Sequence, residues 1–385
     1  MSDCPELEAA RGLADLVTER AGEGDAARAI PRDLARRMAE AGLFRVCVPA
    51  RYGGSERHVR DVVRVIEEIG RADGSAGWCV MLGATTGLLA GSLPEEWARK
   101  IYGADPNVAT CGVVRGNGVA RPVPGGHSID GRWPFASAIS HSDWVVGGCT
   151  VVGADGEIPE PGPRGPETRL FFFEPGQVRV LDTWHTSGLR GTGSHDFEVS
   201  DAFVPDGRSV VLGGRPRVDG PLFKFPTLGL LALGVTSVSL GIARRAIQEF
   251  IALAGGKVPT GSARTLANRP LAQRAVADAE ASLRAARAFL FEVLDEVWAV
   301  AQQGALTTEA RAQLRLAATH STWRAAHAVD QVYQAAGGTS IYDVSPLSRC
   351  FRDVHVATQH LMVAEPTLEV VGRVLLGVGA EKSLL

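Results

Sequence analysis

No two cysteines in this chain are spaced to share a metal ion. The six (Cys4, Cys47, Cys79, Cys111, Cys149 and Cys350) stand singly, with no C-x-x-C or C-x-x-H among them. That spacing argues against a zinc site or a disulfide framework and suits the reducing cytoplasm. Neither sign of charge is in excess: 40 Lys and Arg against 43 Asp and Glu leave −3 over 385 residues. With no basic stripe and no interleaved aromatics, nothing electrostatic points to nucleic acid. The first residues are polar and charged, so no secretory leader is expected. The longest apolar run, residues 225–243, contains Pro226 and three glycines. It reads as a buried helix rather than a membrane span. A nicotinamide fingerprint is missing, because Gly191-Thr-Gly-Ser194 lacks the third glycine and opens no helix. Residues 221–248 hold no Asp or Glu.

What is present is a change of texture, twice. Apolar residues recur at helical spacing through 6–20, 31–41 and 60–71, the last with Val62, Val63, Ile66 and Ile69 on one face. Asp73 is placed to cap a further helix over 75–90. Its Trp78, Met81 and Leu82 share a face expected near a pocket, with plain core packing as the alternative for Trp78. From 108 to 212, Gly, Pro, Val and Thr rise and short alternating runs stand between turn signals, which predicts antiparallel strands. Residues 155–167, with four prolines and three glycines, read as a surface loop. Long helical patterns then return over 223–254, 270–303, 308–337 and 352–376. The expected fold is α+β: an N-terminal helical domain (1–107), a central antiparallel β domain (108–215) and a C-terminal four-helix bundle (216–385).

Four stretches carry more specific information. They are Arg71-Ala-Asp-Gly-Ser-Ala-Gly-Trp78, Gly131-Arg-Trp-Pro-Phe-Ala-Ser137, the run from Asp182-Thr-Trp-His to Gly191-Thr-Gly-Ser194, and Gln334-Ala-Ala-Gly-Gly with Arg352-Asp-Val-His-Val-Ala-Thr-Gln-His360. Gly337 and Gly338 mark a tight turn or a close approach. In this order, over essentially the whole chain, the stretches resemble the acyl-CoA dehydrogenase superfamily. Within it they resemble the two-component flavin-dependent monooxygenases of the phenol hydroxylase and dibenzothiophene monooxygenase kind. The resemblance implies the acyl-CoA dehydrogenase-like fold and a bound flavin. Phe135 and Ala136 would lie beside its ring, and Ser137 would bond N5. Gln334, Gly337 and Gly338 would contribute to the flavin site. It places Leu361 where the dehydrogenases carry their catalytic Glu, and His360 where they carry Tyr. Two departures stand out. Ala138 replaces a usual Gly, and the Arg-x-x-Phe-Gly segment that meets the FAD pyrophosphate has no match. Lys257 and Arg264 are the cations near that place, and FMN and FAD both stay open.

The implied chemistry is that of an oxygenase component. A separate flavin reductase supplies reduced FMN or FAD, O₂ converts it to a C4a-hydroperoxide, and one oxygen passes to an aromatic or polycyclic small molecule. His360, with a pKa near neutrality, would be base or hydrogen-bond partner to a phenolic substrate. His355 and His141 are further pocket candidates. On one continuous helix His355 and His360 would face different directions. Arg352 and Asp353 read as a structural pair fixing a helix start. No metal site, nucleic acid or membrane is expected, and the resemblance implies a homotetramer or dimer. Three alternatives remain: an acyl-CoA dehydrogenase with a displaced base, an amine N-oxygenase, and a catalytically silent flavin-fold binding subunit.

Overall fold

The structure, a computed structural model, describes residues 4–153, 156–158 and 167–379. Residues 155 and 159–166 of the loop expected over 155–167 lie outside the described residues. Helices come first: α1 (Pro5–Ala27), α2 (Arg32–Glu40), α3 (Val59–Ala72), α4 (Gly74–Gly87) and the single turn α5 (Glu95–Ala98). α3 buries Val62, Val63, Ile66 and Ile69, as their spacing predicts. α4 is buried along its whole length, as befits a helix apolar on every side. Its start is set by Asp73, whose carboxylate accepts the Ala76 N–H at 2.9 Å.

Seven strands follow: β1 (Thr110–Val123), β2 (Gly126–Trp133), β3 (Trp144–Val151), β4 (Thr168–Phe173), β5 (Arg179–Leu181), β6 (Asp196–Pro205) and β7 (Ser209–Val211). They form one sheet in the order β5-β6-β2-β1-β3-β4-β7. All pairs are antiparallel except β1 with β3, which corrects the purely antiparallel expectation. The reason is topological. β2 hairpins back along one edge of β1, and residues 134–143 then cross to its other edge, so β3 arrives running the way β1 does. That crossing segment carries Phe135, Ala136, Ser137 and His141. It leaves β2 at Trp133, a fully buried ring stacked on Phe197 at 4.7 Å, with its Nε1–H on the Gly148 carbonyl at 2.7 Å.

The chain closes with α6 (Thr227–Gly256), α7 (Pro270–Gln303), α8 (Thr308–Ala336), α9 (Pro346–Thr358) and α10 (Pro366–Leu375). α6 packs between α3 and α4 on one side and α8 on the other. It is the one described helix long and apolar enough to cross a membrane, and 83% of its most apolar window is buried inside the protein. The single helix expected over 352–376 is two. Pro366 opens α10 and has no N–H to continue a ladder from the preceding turn. His360 therefore sits in the turn between α9 and α10, its N–H on the Ala357 carbonyl at 3.1 Å.

Candidate active site

Three expected site residues, drawn from three distant segments, meet. Trp78 on α4 donates its Nε1–H to Ser137 Oγ at 3.1 Å. Its ring stands edge-on to that of His360, with centroids 5.5 Å apart. Ser137 is held by its neighbours' backbone. The Ala136 N–H reaches the His195 carbonyl at 3.0 Å, and the Ala138 N–H reaches the Thr192 carbonyl at 2.8 Å. Behind Ser137 runs a row of hydroxyls. Ser137 Oγ lies 2.7 Å from Ser194 Oγ, and Ser194 Oγ lies 2.6 Å from Thr192 Oγ1, which donates to the Leu189 carbonyl at 2.7 Å. Sequence reasoning quotes Thr192 and Ser194 within a motif but assigns them no role. No periodicity announces them, because Thr192 ends a tight turn and Gly193 is left-handed at φ +55°, so their hydroxyls meet through the turn rather than by strand alternation.

Phe135 lies beside them with 68% of its surface exposed and φ at +67°. A left-handed backbone is unfavourable for an aromatic residue, costing on the order of 1–3 kcal/mol. The zipper of 136 and 138 onto 192–195 imposes it, and the ring edge leans on Trp184 at 6.2 Å.

His360 differs from expectation in its pKa. Burial, and then the nearby Arg315 guanidinium, push its pKa down to about 4, so it is neutral at pH 7. Its Nδ1 accepts the Met362 N–H at 3.2 Å, which leaves the single ring proton on Nε2. At neutral pH His360 is thus a hydrogen-bond donor at Nε2 rather than a base. Arg315, on α8, is only 3% exposed. It reaches Met362 Sδ at 3.1 Å and Thr367 Oγ1 at 3.3 Å, while its Nε has no partner. Among the described residues no carboxylate pairs with it, an unusual state for a buried cation.

The other pocket candidates lie elsewhere. Met81 is fully buried against α6, where a Cβ on Gly234 would come 2.1 Å from Met81 Cγ. His355 turns to α8, its Nε2 2.8 Å from Asp330 Oδ1. His141 stacks on Phe44 at 6.1 Å. A second group forms at the end of α8. Gly337 turns the chain at φ +61°, and the Lys257 ammonium donates to the Ala336 carbonyl. Gln334, Gly338 and Arg264 are exposed. This group joins a cation to open backbone.

Arg352 and Asp353 tether the loop before the hydroxyl row rather than a helix start. Arg352 donates to the Ser187 carbonyl at 2.6 Å, and Asp353 accepts the Leu189 N–H at 2.6 Å. Burial, reinforced by Asp73, pushes the Asp353 carboxyl up to about 7. From the other side Arg190 reaches the Asp25 carbonyl at 3.0 Å, and Arg28 pairs with Asp182 at 2.6 Å.

Comparison with known proteins identifies the family of the chain. Residues 7–96 match the acyl-CoA dehydrogenase N-terminal domain, and residues 233–365 match the C-terminal domain. The chain is 38% identical to an indole-3-acetate monooxygenase of Pseudomonas putida, over 97% of this chain and 94% of that one. A 3-HSA hydroxylase structure from Rhodococcus sp. RHA1 superposes with a TM-score of 0.91 at 23% identity, covering 100% of both chains. XiaF from Streptomyces, solved with FADH2 and glycerol, gives 0.88 at 25% identity, over 97% of this chain and 95% of that one. The chain belongs to the flavin-dependent monooxygenases built on the acyl-CoA dehydrogenase fold, and is an oxygenase component that uses O₂ and reduced FMN or FAD.

Proposed function

We propose that this oxygenase acts on an aromatic ring bearing an anionic oxygen group, with a separate flavin reductase as its partner. The observation that carries the proposal is the positive, donor-only end of the site. Neutral His360 presents Nε2–H, and the Arg315 charge near it has no protein counter-ion. An arylacetate or a phenolate satisfies both groups, and the name of the Pseudomonas putida relative supports the first. Bound reduced flavin supplies activated oxygen. The residues of the chain do the rest. Ser137 holds flavin N5, Phe135 and Ala136 line the ring, and Trp78 fixes Ser137 while closing that side against water. His360 donates to the substrate oxygen and so orients the ring. Lys257, Gln334, Gly337 and Gly338, with Arg264 on the same loop system, hold the phosphate tail. Leu361, 72% exposed, offers no base for a dehydrogenase reaction.

Ile341, Tyr342 and Val344, in the turn between α8 and α9, are exposed apolar side chains, which supports assembly as a homotetramer or dimer. Six unpaired, buried cysteines suit a cytoplasmic location. The test is steady-state turnover with a flavin reductase, comparing indole-3-acetate with indole. A hydrogen bond to a charged group is worth about 1.5–3 kcal/mol, so kcat/KM should favour the acid by roughly 10- to 100-fold. Equal values for the two would defeat the proposal.

A further inference from the structure

We propose that Thr192 and Ser194 are positioning residues that fix the direction of the Ser137 hydroxyl proton, and thereby make the site select reduced over oxidised flavin. The argument rests on Ser137 being the partner of flavin N5, and counts protons along the row. The Leu189 carbonyl can only accept, so Thr192 uses its one hydroxyl proton there, at 2.7 Å. Thr192 Oγ1 must then accept from Ser194, at 2.6 Å. With its own proton committed, Ser194 must accept from Ser137, at 2.7 Å. At the far end Trp78 Nε1–H can only donate, and it fills one lone pair of Ser137 Oγ at 3.1 Å. Both ends of the row are one-way groups, so the polarity between them is determined.

Ser137 is left with one lone pair and no free proton. Reduced flavin carries a hydrogen on N5 and matches that lone pair. Oxidised flavin has a bare N5, which would meet lone pair with lone pair. Reversing the row would let Ser137 donate, but it would leave Thr192 Oγ1 and the Leu189 carbonyl oxygen 2.7 Å apart with no proton between them, even though that carbonyl keeps the Trp184 Nε1–H at 3.1 Å and the Thr192 N–H at 3.2 Å. The preference is therefore worth about one hydrogen bond, roughly two- to tenfold in affinity. Ser137, Thr192 and Ser194 are all buried, so water does not enter the row to scramble it.

The experiment is anaerobic titration of the full-length protein with FMN, FMNH₂, FAD and FADH₂, followed by flavin fluorescence or absorbance. Ser194→Ala and Thr192→Val each release the Ser137 proton by a different route. Each should tighten oxidised-flavin binding by roughly two- to tenfold while reduced-flavin binding stays within about twofold. Thr192→Ser restores the terminal hydroxyl and should keep the wild-type ratio. A merely structural role for the row predicts loss of both affinities together, and that outcome, or no change in either, overturns the proposal. Ser137→Ala separates the two levels of the argument. It should weaken reduced flavin alone. If it alters neither affinity, Ser137 is not at N5 and the underlying reading falls with it.

Discussion

Replacing His360 by Gln should make this protein markedly less sensitive to acid. The imidazole has a pKa pushed from 6.5 to about 4 in the fold, with burial as the first cause and Arg315 as the second. The sign follows from linkage. The unfolded chain binds a proton below about pH 6.5 and the folded site refuses it until about pH 4, so stability falls through that window as pH drops. At about pH 5 the cost is on the order of 2 kcal/mol for this one group. The wild-type curve alone does not isolate it. His141, also pushed down to about 4 by burial, adds a loss of the same sign. Asp353, pushed up from 3.8 to about 7, holds its proton in the fold and gains stability as pH falls. The informative quantity is the difference between wild type and variant. Urea unfolding followed by tryptophan fluorescence at about pH 8 and about pH 5 should show the variant losing about 2 kcal/mol less between them. Turnover should agree: kcat/KM of the wild type has no ascending limb near pH 6.5. Equal losses in both proteins, or such a limb that vanishes in the variant, would show that His360 titrates normally and acts as a base.

Ser137→Ala should raise the share of reducing equivalents recovered as H₂O₂, while costing the fold only about 1 kcal/mol. Product and peroxide assays on the same reaction check this, and an unchanged ratio counts against Ser137 holding N5. Gly188→Ala would bring a Cβ within 2.3 Å of the Arg352 carbonyl, displacing the loop and the Leu189–Asp353 bond. We expect a loss of about 1–3 kcal/mol and more peroxide, although residue 188 is not among the flavin-site residues. Acyl-CoA thioesters should not bleach bound oxidised flavin under anaerobic conditions, since Leu361 supplies no base. Robust bleaching by any of them contradicts the site as described.

Helices with strong terminal signals were legible. α7 begins at Pro270 and ends at Gln303, before Gly304, because Pro suits a first turn and Gly an exit. The break between α9 and α10 was written in Pro366 but overridden by the apolar periodicity on either side, which carried the pattern through. The parallel β1–β3 pair was not legible, because alternation reports which residues face in and says nothing of which way a neighbour runs. Motif position and helix face named Ser137, Trp78 and His360, and the structure brings the three together. The donor state of His360 was not, since it depends on the Met362 N–H and on Arg315, 45 residues earlier in the chain. The partner of His355 was hidden for the same reason: Asp330 belongs to another helix.

The loop that bears Thr192 and Ser194 is seated by Asp25 of α1 and Arg28 just past its end, and by Arg352 and Asp353 from α9. Each tether is a small set of polar contacts, such as the two bonds of Arg28 to Asp182 at 2.6 and 3.2 Å, each worth on the order of 1 kcal/mol. Within 182–195 only Trp184 and Leu189 are buried apolar side chains, whereas the cores on either side are held by extensive apolar burial. Mild heat, chaotrope or a surface mutation at one of these seams would let the loop slip before any core loosens. The first symptom of damage would then be wasted reductant rather than lost structure. A preparation could pass every test of foldedness and still burn its reduced flavin to peroxide, and the coupling ratio would report its condition sooner than its melting curve.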